Sequence, residues 1–307
     1  MSALADRVLS NYTSDNPGTK ANLARIMFSG KLAGSGKLVI LPVDQGFEHG
    51  PAKSFAVNPA AYDPYYHVEL AVAANLNAFA APIGMMEIIA SNYAHKIPLI
   101  LKLNSSNLLT PKSLAPDQAY TASVHDALRL GCAAVGLTIY PGSANADKMM
   151  EDAAKVVAEA KDYGLPTVIW SYPRGEDISK NSEAAVDVVA YAAHIAALIG
   201  AHIIKVKLPA ATLSSMDISY PYKDYGITID SLNARVAHVM QCAFQGKRIV
   251  VFSGGVHKSL EDLYNDINAI CSGGGHGSII GRNTFQRPRN EALKMLSHIT
   301  DLYTSAK

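Results

Sequence analysis

Two lysines in one short apolar run are well placed for chemistry. Lys205 and Lys207 stand two residues apart in AHIIKVKLP, where their neighbours are apolar. Side chains two apart on a β-strand point to the same side, so the two amines share one environment if this run is a strand. Burial and a neighbouring cation both lower the pKa of an amine toward the value that a Schiff-base nucleophile needs. A lysine at a strand end can also simply extend into water. The shared parity favours one nucleophile and one electrostatic helper.

A phenol and a guanidinium follow another apolar run, VIWSYPRG. Trp170 and Tyr172 have the same parity in this run, and Arg174 comes in the loop that follows. The phenol can give or take a proton, and the indole provides an aromatic wall beside it. Ordinary packing aromatics and a surface cation would give the same pattern. Trp170 and Arg174 are therefore candidates for substrate binding, and Tyr172 for catalysis, on the condition that other polar groups meet them.

Such groups follow two further apolar runs. ILPVDQGFEHGP presents Asp44 at the end of a run, and then Glu48 and His49 in a turn bounded by glycines. LILKLN holds Lys102 among apolar residues. If all these runs are parallel strands, their carboxyl ends lie at one rim, where an acid, a phenol and an amine converge. Asp44 is a catalytic candidate, and His49 and Lys102 are candidates for binding substrate.

Two glycine-containing segments near the carboxyl end of the chain suggest an anion site. VVFSGG ends in Ser253, Gly254 and Gly255, and GSIIGRN places Gly281 and Arg282 at the start of the last predicted helix. Glycine lets backbone approach a ligand closely, and the exposed N–H groups of a helix start favour phosphate. Each segment alone could be an ordinary turn. Their occurrence after the last two strands, the usual phosphate site of α/β barrels, predicts a phosphorylated substrate.

The arrangement of these segments predicts a (β/α)₈ TIM barrel. Short β-branched runs alternate with longer Ala-rich amphipathic stretches, the pattern of a parallel sheet. The eight predicted strands are residues 38–43, 76–81, 97–103, 133–139, 166–171, 201–207, 248–253 and 277–281. The predicted helices are residues 64–75, 84–94, 116–130, 144–163, 183–199, 229–244, 258–271 and 284–303. A doubly wound open sheet is the alternative, but candidate residues after many different strands favour a barrel mouth over one switch point.

We expect residues 1–307 to form a single barrel domain, because barrels of about 250 residues fold as one unit. Residues 1–36 are an extension in which residues 20–33 read as an extra N-terminal helix that plugs the amino-terminal end of the barrel. Residues 208–228, rich in proline and tyrosine, look like an inserted loop. A loop of this length can be a lid over the site or a surface decoration.

Composition excludes several classes of protein. The chain has 27 Lys and Arg against 26 Asp and Glu, so no net field attracts nucleic acid or an anionic membrane. The sequence shows neither a signal-peptide core nor an apolar run of about 18 residues. Three scattered cysteines favour a reducing cytoplasm, and the ten histidines form no HxH or HxxxH pair, so no zinc site is expected. We expect no cofactor, and a small-molecule ligand.

The motifs DQGFEHGP, LILKLN, TIYPGS, WSYPRG, IIKVK, FSGG and IIGRNTFQRP, in unbroken order from about Leu38 to Pro288, resemble the archaeal-type class I fructose-1,6-bisphosphate aldolases. The resemblance implies that Lys205 is the Schiff-base lysine, Tyr172 the catalytic tyrosine and Asp44 the active-site aspartate. Gln45 stands where the family commonly has histidine, and LPAA follows KVK where relatives often have YTGD. The resemblance also implies a metal-independent lyase of glycolysis or gluconeogenesis that assembles as a homo-oligomer, possibly a decamer.

Two other functions fit parts of the pattern. A related Schiff-base aldolase or thiolase acting on another phosphorylated ketose would keep the same motifs. A noncatalytic sugar-phosphate-binding protein would need the phosphate loops, but not a lysine buried beside a phenol. Turnover across sugars distinguishes the first alternative from a fructose-bisphosphate aldolase, and failure to trap an imine would favour the second.

Overall fold

Parallel strands dominate the architecture. A computed structural model describes residues 3–255 and 258–305, so the ends of the predicted domain, residues 1–2 and 306–307, lie outside it, as do residues 256–257. The strands are β1 (Leu38–Pro42), β2 (Ala78–Pro82), β3 (Leu99–Lys102), β4 (Asn104–Ser105), β5 (Ala119–Tyr120), β6 (Ala134–Ile139), β7 (Thr167–Ser171), β8 (Ile203–Val206), β9 (Ile249–Ser253) and β10 (Gly277–Ile279). Eight of them form a closed barrel in the order β1-β10-β9-β8-β7-β6-β3-β2, and β4 and β5 form a separate antiparallel pair.

Helices precede, connect and follow the strands, and the longer ones between strands surround the barrel. They are α1 (Ala3–Leu9), α2 (Pro17–Met27), α3 (Gln45–His49), α4 (Pro51–Phe55), α5 (Pro64–Ala73), α6 (Ile83–Tyr93), α7 (Val124–Arg129), α8 (Ala146–Asp162), α9 (Val186–Ile199), α10 (Pro221–Asp224), α11 (Leu232–Cys242), α12 (Leu260–Ser272), α13 (Arg282–Phe285) and α14 (Arg289–Ser305). Short 3₁₀ turns occupy Pro59–Tyr62, Ser182–Ala184 and Asp217–Ser219. The closed sheet confirms the predicted (β/α)₈ barrel and excludes the open sheet. None of the helices in this part of the chain combines the length and apolarity needed to span a membrane.

The core has two layers that follow the alternation along each strand. Side chains of one parity, such as Val39 and Leu41, pack between the strands and the outer helices. Side chains of the other parity, such as Leu38 and Ile40, fill the inside of the barrel. Successive side chains on a strand face opposite ways, so each strand contributes to both layers.

The N-terminal extension closes the amino-terminal end of the barrel, as expected. Leu23, Ile26 and Met27 of α2 are buried in the same cluster as the inward-facing strand residues. Tyr12 donates a hydrogen bond to the carbonyl of His202 at 2.5 Å and accepts one from the backbone N–H of Ile249 at 3.1 Å. These contacts join the extension to the beginnings of β8 and β9.

The predicted bounds of this helix, residues 20–33, were partly wrong. Asn16 caps α2 by accepting a hydrogen bond from the Thr19 backbone N–H at 2.8 Å, so the helix starts earlier, at Pro17. It ends at Met27, and Gly30 then turns the chain with a φ of 72°. A Cβ at Gly30 would lie 2.5 Å from the carbonyl oxygen of Asn75, so this turn requires glycine.

The predicted helix at residues 116–130 was also largely wrong. Only Val124–Arg129 is helical, because Ser123 and Asp126 form a capping box that fixes the helix start. The residues before it return to the barrel as β5, paired with β4. The backbone N–H of Thr121 donates to the carbonyl of Leu103 at 2.8 Å, and these tertiary contacts override the local helical tendency.

Residues 208–228, which the sequence suggested to be an inserted loop, pack on the outside of the barrel. The Ser214 side chain and backbone both donate to the Asp187 carboxylate on α9. Tyr222 and His238 of α11 are hydrogen bonded at 2.8 Å. Within this segment only Leu208 lines the cavity described below. The rest of the segment therefore forms an outer wall over α9 and α11.

Candidate active site

Alternation along the strands explains why the candidate residues meet. Ile203 faces the barrel interior, and Lys205, two residues on, shares its direction. Val168 is likewise inward, followed by Trp170. On each of these strands, the inward-facing positions near the carboxyl end carry the candidate side chains. These side chains therefore meet at the carboxyl-terminal mouth of the barrel. The parity predicted for the two lysines is met, since both Lys205 and Lys207 line one cavity at that mouth.

This inner cavity has a volume of about 360 Å³. Eleven of the thirteen predicted site residues line it: Asp44, His49, Tyr172, Arg174, Lys205, Lys207, Ser253, Gly254, Gly255, Gly281 and Arg282. Trp170 and Lys102 lie beside it without lining it. Of the lining residues that were not predicted, Gln45, Glu48 and Lys258 carry polar groups.

Lys205 and Tyr172 form the central pair. They extend from the neighbouring strands β7 and β8, in which Trp170 lies opposite Lys205, and the amine donates a hydrogen bond to the phenol oxygen. The lysine is 5% exposed, and burial, reinforced by the charges of Lys102 and Arg282 and opposed by Asp44 and Glu48, lowers its pKa to about 8. Burial and the Glu48 carboxylate raise the pKa of Tyr172 well above its ordinary value. The pair therefore combines an amine that readily loses its proton with a phenol that keeps it.

Lys102 and Trp170 form the floor below this pair. The Lys102 amine is fully buried, donates to the backbone carbonyl of Asn104 at 2.5 Å, and lies 3.9 Å from the Asp44 carboxylate. It also lies 5.6 Å from the centre of the Trp170 ring, and the Lys205 amine lies 6.0 Å from the same ring. Trp170, predicted to bind substrate, is buried and does not line the cavity. Lys102 contributes its charge from below.

Glu48 is a buried acid that was noted in the sequence but not chosen as a site residue. It is 8% exposed, and its Oε1 atom has no hydrogen-bond partner within the described residues. Burial and the charge of Asp44 raise its pKa. The signal in the sequence was its place in DQGFEHGP, one turn after Asp44; the short helix α3 folds that turn back over the cavity.

One end of the cavity is suited to an anion. Gly281 precedes α13, which begins at Arg282, and a Cβ at residue 281 would lie 3.0 Å from the Pro42 carbonyl oxygen, so the close approach of these segments favours glycine. The Asn283 side chain donates to the Gly254 carbonyl at 2.9 Å and joins the two glycine segments. Arg282 forms no ion pair with a described carboxylate, which leaves its guanidinium available to a ligand.

The opposite end carries a second cation. The Arg174 guanidinium donates to the Tyr140 hydroxyl at 3.0 Å and lies 5.0 Å from the centre of that ring. Lys207 pairs with Glu183, a residue between β7 and α9. Burial and the cations Arg282 and Arg174 lower the pKa of His49, which favours a neutral imidazole between the two ends.

The arrangement suits chemistry at a ketone flanked by anionic groups. A neutral amine can add to the carbonyl, the phenol can transfer protons at the same carbon, and cations hold both ends. Within residues 3–255 and 258–305, no group of three His, Cys, Asp or Glu side chains is arranged to hold a metal ion.

Comparison with known proteins agrees with this chemistry. The sequence model of the DeoC/LacD family aldolases matches residues 38–287. The chain is 36% identical over 276 residues to the class 1 fructose-bisphosphate aldolase of Thermoproteus tenax, covering 89% of this chain and 91% of that protein. It is 34% identical over 259 residues to the corresponding aldolase of Halobacterium salinarum, covering 84% and 88%.

A solved structure extends the agreement to three dimensions. An archaeal fructose-1,6-bisphosphate aldolase, with its catalytic lysine covalently bound to the carbinolamine intermediate of the substrate, superimposes with a TM-score of 0.73 and 33% identity. The match covers 87% of this chain and 94% of that one. The chain therefore belongs to the DeoC/LacD family of aldolases, and the relatives that it resembles are class 1 fructose-bisphosphate aldolases.

Proposed function

We propose that this chain is a class I fructose-1,6-bisphosphate aldolase, which reversibly cleaves the ketose bisphosphate into dihydroxyacetone phosphate and glyceraldehyde 3-phosphate in glycolysis or gluconeogenesis. The observation that carries the proposal is the buried pair of Lys205 and Tyr172 in a cavity with a cation at each end. A protein that only bound sugar phosphates would need the cations, but would gain nothing from burying an amine against a phenol. The identities to class 1 aldolases support the same reaction.

The reaction starts with addition of the neutral Lys205 amine to the C2 ketone. Tyr172 passes a proton to the departing oxygen, water leaves, and an iminium ion remains. Tyr172 then takes the proton of the C4 hydroxyl, which Asp44 orients, and the C3–C4 bond breaks. The electron pair of that bond moves to the iminium nitrogen, giving an enamine and free glyceraldehyde 3-phosphate. Protonation at C3 and hydrolysis release dihydroxyacetone phosphate and restore the amine.

The two ends of the cavity hold the two phosphates in this proposal. The segments at Ser253, Gly254 and Gly255, together with Gly281 and Arg282, hold the phosphate next to the ketone. Arg174 holds the second phosphate, with His49 and Lys207 beside it. Lys102 and Lys207 add positive field near the developing negative charge, and no metal or other cofactor takes part.

Borohydride trapping tests the proposal directly. The protein is mixed with fructose 1,6-bisphosphate and EDTA, reduced with borohydride, and analysed by peptide mass mapping. We expect an adduct on Lys205. Lys205→Met should abolish it, while the matched variant Lys207→Met, two residues away in the same cavity, should retain it. Cleavage that EDTA abolishes, with no adduct, would contradict the imine mechanism.

Turnover across sugars separates the proposal from a related aldolase. An aldolase or thiolase for another phosphorylated ketose would form the same adduct, but would cleave fructose 1,6-bisphosphate poorly. Arg174→Ala tests the second phosphate site. The change should weaken the binding of a bisphosphate ketose more than the binding of a monophosphate one. Equal weakening of both would show that Arg174 does not bind that phosphate.

The proposed setting is the cytoplasm, with the chain assembled as a homo-oligomer, possibly a decamer, and with no nucleic acid or membrane partner. The near balance of acidic and basic residues supports the absence of such partners. Cell fractionation tests the location, and sedimentation velocity tests the assembly.

A further inference from the structure

The guanidinium of Arg174 lies where two cavities meet. The inner cavity opens into an outer one of about 730 Å³ under the loop that joins β4 to β5, and Arg174 lines both. The open space on either side leaves room for several orientations of this long side chain. Fixing an arginine in one orientation costs conformational entropy, so an arginine that binds a ligand well needs neighbours that hold it in place beforehand.

Two carboxylates compete for this guanidinium. Glu48 and Glu183 are near enough for their charges to act on Arg174. Neither forms an ion pair with it in the part of the chain that the structure describes, and Glu183 pairs with Lys207 instead. An ion pair with either carboxylate would neutralise the charge that Arg174 offers to a phosphate. A different contact therefore holds the guanidinium in place.

Tyr140, the tyrosine of TIYPGS, makes this contact. It follows β6 directly, is 1% exposed, and packs in the core. The Arg174 guanidinium donates a hydrogen bond to the Tyr140 hydroxyl at 3.0 Å and lies 5.0 Å from the centre of the ring. A guanidinium at this distance from an aromatic ring is attracted to it. A ring that is fixed by the core thus supports a side chain that is only half-buried.

The Tyr140 hydroxyl has partners on two sides. It accepts the hydrogen bond from Arg174, and the Ser106 Oγ atom lies 3.0 Å away, where it can accept the proton of the phenol. Burial and the charge of Glu48 raise the pKa of Tyr140, so the phenol stays neutral and keeps both contacts. A phenylalanine at this position would keep the ring and lose both hydrogen bonds.

The backbones that carry the two residues also touch. TIYPGS follows β6 and WSYPRG follows β7, the neighbouring strand. A Cβ at Gly175 would lie 1.6 Å from the carbonyl oxygen of Gly142, a distance that no side chain tolerates. The glycine after Arg174 therefore lets its turn rest directly on the turn that follows Tyr140. Backbone and side chain together fix the arginine against the tyrosine.

We propose that Tyr140 is a positioning residue for the proposed reaction, whose hydroxyl and ring hold Arg174 ready for the second phosphate of the substrate. The inference rests on the proposed aldolase function and on the assignment of Arg174 to that phosphate. Loss of the hydroxyl should therefore weaken the binding of the second phosphate. It should leave the chemistry of Lys205 at C2 unchanged.

Two ketoses that differ only in the second phosphate test this role. Tyr140→Phe should raise KM for fructose 1,6-bisphosphate by about tenfold, because a hydrogen bond to a charged group is lost, and should leave kcat within about twofold. KM for fructose 1-phosphate, which lacks the second phosphate, should stay within about twofold. Unchanged KM values, an equal rise for both ketoses, or a loss confined to kcat would overturn the inference.

A double-mutant cycle shows whether the effect passes through Arg174. In the Arg174→Ala background no guanidinium remains to be held, so adding Tyr140→Phe should change KM for fructose 1,6-bisphosphate by less than about twofold. If the two single effects multiply in the double variant, Tyr140 acts independently of Arg174 and the inference is wrong.

Two further variants are controls. Tyr303→Phe removes a hydroxyl that is equally buried and hydrogen bonded to Ser278 at 2.5 Å, and it should leave KM for both ketoses unchanged. Ser106→Ala removes the other partner of the Tyr140 hydroxyl and should change KM much less than Tyr140→Phe, because the packed ring still holds Arg174. An equally large effect of Ser106→Ala would assign the effect to the loop between β4 and β5 and contradict the inference.

Borohydride trapping on Lys205, measured in the same preparations, separates the inference from the proposed function. The parent and Tyr140→Phe should both form the adduct at saturating fructose 1,6-bisphosphate. If the parent traps and cleaves this substrate while Tyr140→Phe leaves the ratio of the two KM values unchanged, only the inference is wrong. If the parent neither traps nor cleaves it, the proposed function is wrong as well.

Discussion

The reactivity of Lys205 depends on how far its surroundings disfavour the charged ammonium form of its side chain. Burial disfavours the ammonium form, as do the cations of Lys102 and Arg282, while Asp44 and Glu48 favour it. The balance gives a pKa of about 8, so a substantial share of the amine is neutral near neutral pH. An isolated lysine on the surface would have far less of its nucleophilic form at the same pH.

This balance predicts a pH profile. Below about pH 8 the neutral fraction of Lys205 falls, so kcat/KM should fall about tenfold per pH unit and level off above that pH. Lys102→Met removes a nearby cation that lowers the Lys205 pKa, and should shift this limb to higher pH. Lys96→Met, which changes an exposed lysine, is the control. An unchanged pH profile of kcat/KM in the Lys102 variant would contradict an effect of the Lys102 charge on the pKa of Lys205.

The Tyr172 hydroxyl is expected to act in proton transfer rather than in binding. Tyr172→Phe should lower kcat by about 10²–10⁴, with a much smaller change in KM, because general acid–base catalysis contributes about that factor. Steady-state kinetics measure both constants. Tyr163→Phe removes a hydroxyl from a half-exposed ring outside the cavity and should have no effect. A loss that appeared mainly in KM would assign Tyr172 to binding.

Strand parity allowed most of the site to be predicted from the sequence. It placed Lys205 and Lys207 together and put Tyr172 with them, because the direction of a side chain follows from its position on a strand. Strand parity gives no information about how deep a side chain lies in the barrel. Trp170 was therefore expected to line the cavity, whereas it is buried beneath it. Strand parity also does not apply to the short helix α3, so it could not show that Gln45 and Glu48 line the cavity together with His49.

At the scale of elements, one buried ionic contact adds to the apolar packing that holds the N-terminal segment on the barrel. Asp15 lies 3.1 Å from the Nε2 atom of His202 and 3.3 Å from the Lys161 ammonium. The Nδ1 atom of His202 accepts a hydrogen bond from the Thr167 backbone N–H at 2.9 Å, which leaves the ring proton on Nε2, the nitrogen nearest Asp15. Burial alone would raise the pKa of Asp15, but the hydrogen bonds from His202 and Lys161 lower it to about 2.

This contact predicts an acid-sensitive contribution to stability. The folded pKa of Asp15 is below its ordinary value of 3.8, so its contribution is fully present above about pH 4 and is lost as the pH falls through about 2. Asp15→Asn should lower the free energy of unfolding by about 1.5–3 kcal/mol near neutral pH. In denaturant titrations, the difference in the free energy of unfolding between this variant and the parent should become smaller at low pH. Asp6→Asn, at an exposed position, is the control; a pH-independent difference would contradict the ionic origin.

Element positions were predicted best where periodicity is strongest. All eight barrel strands occur within a few residues of their predicted ranges, because a buried parallel strand is a short apolar run between turns. The segment after β3 could not be predicted in the same way. Its residues return to pair with β4 because of contacts with distant parts of the chain, and periodicity within a window contains no such information.

At the scale of the whole molecule, α9 is unusual for an outer helix. It has no Lys or Arg, and its one acidic residue, Asp187, is buried against Ser214. Tyr191 and Leu198, seven residues apart on one face, are 52% and 65% exposed. An outer helix normally carries a polar face, so this apolar face is a candidate contact between copies of the chain.

The face of α9 therefore gives a specific prediction about assembly. Leu198→Glu should shift the sedimentation velocity distribution toward smaller species, because burying a carboxylate in an apolar contact is unfavourable. Leu109→Glu, at a position that is 95% exposed in the loop after β4, should leave the distribution unchanged. A parent-like distribution for the Leu198 variant would place the interface elsewhere.

That the chain forms a single domain also stays a prediction, which limited proteolysis can test.

The hydrogen bond between Lys205 and Tyr172 joins neighbouring strands whose residues pair in one register. A slip of one residue between β7 and β8 would turn one row of side chains from the barrel interior to the helices, and the amine and phenol would separate. Efficient imine trapping is therefore a chemical reporter of correct strand pairing. In refolding experiments, the time at which imine trapping recovers would give the time at which β7 and β8 pair correctly. This time can be compared with the recovery of the circular dichroism signal of the helices.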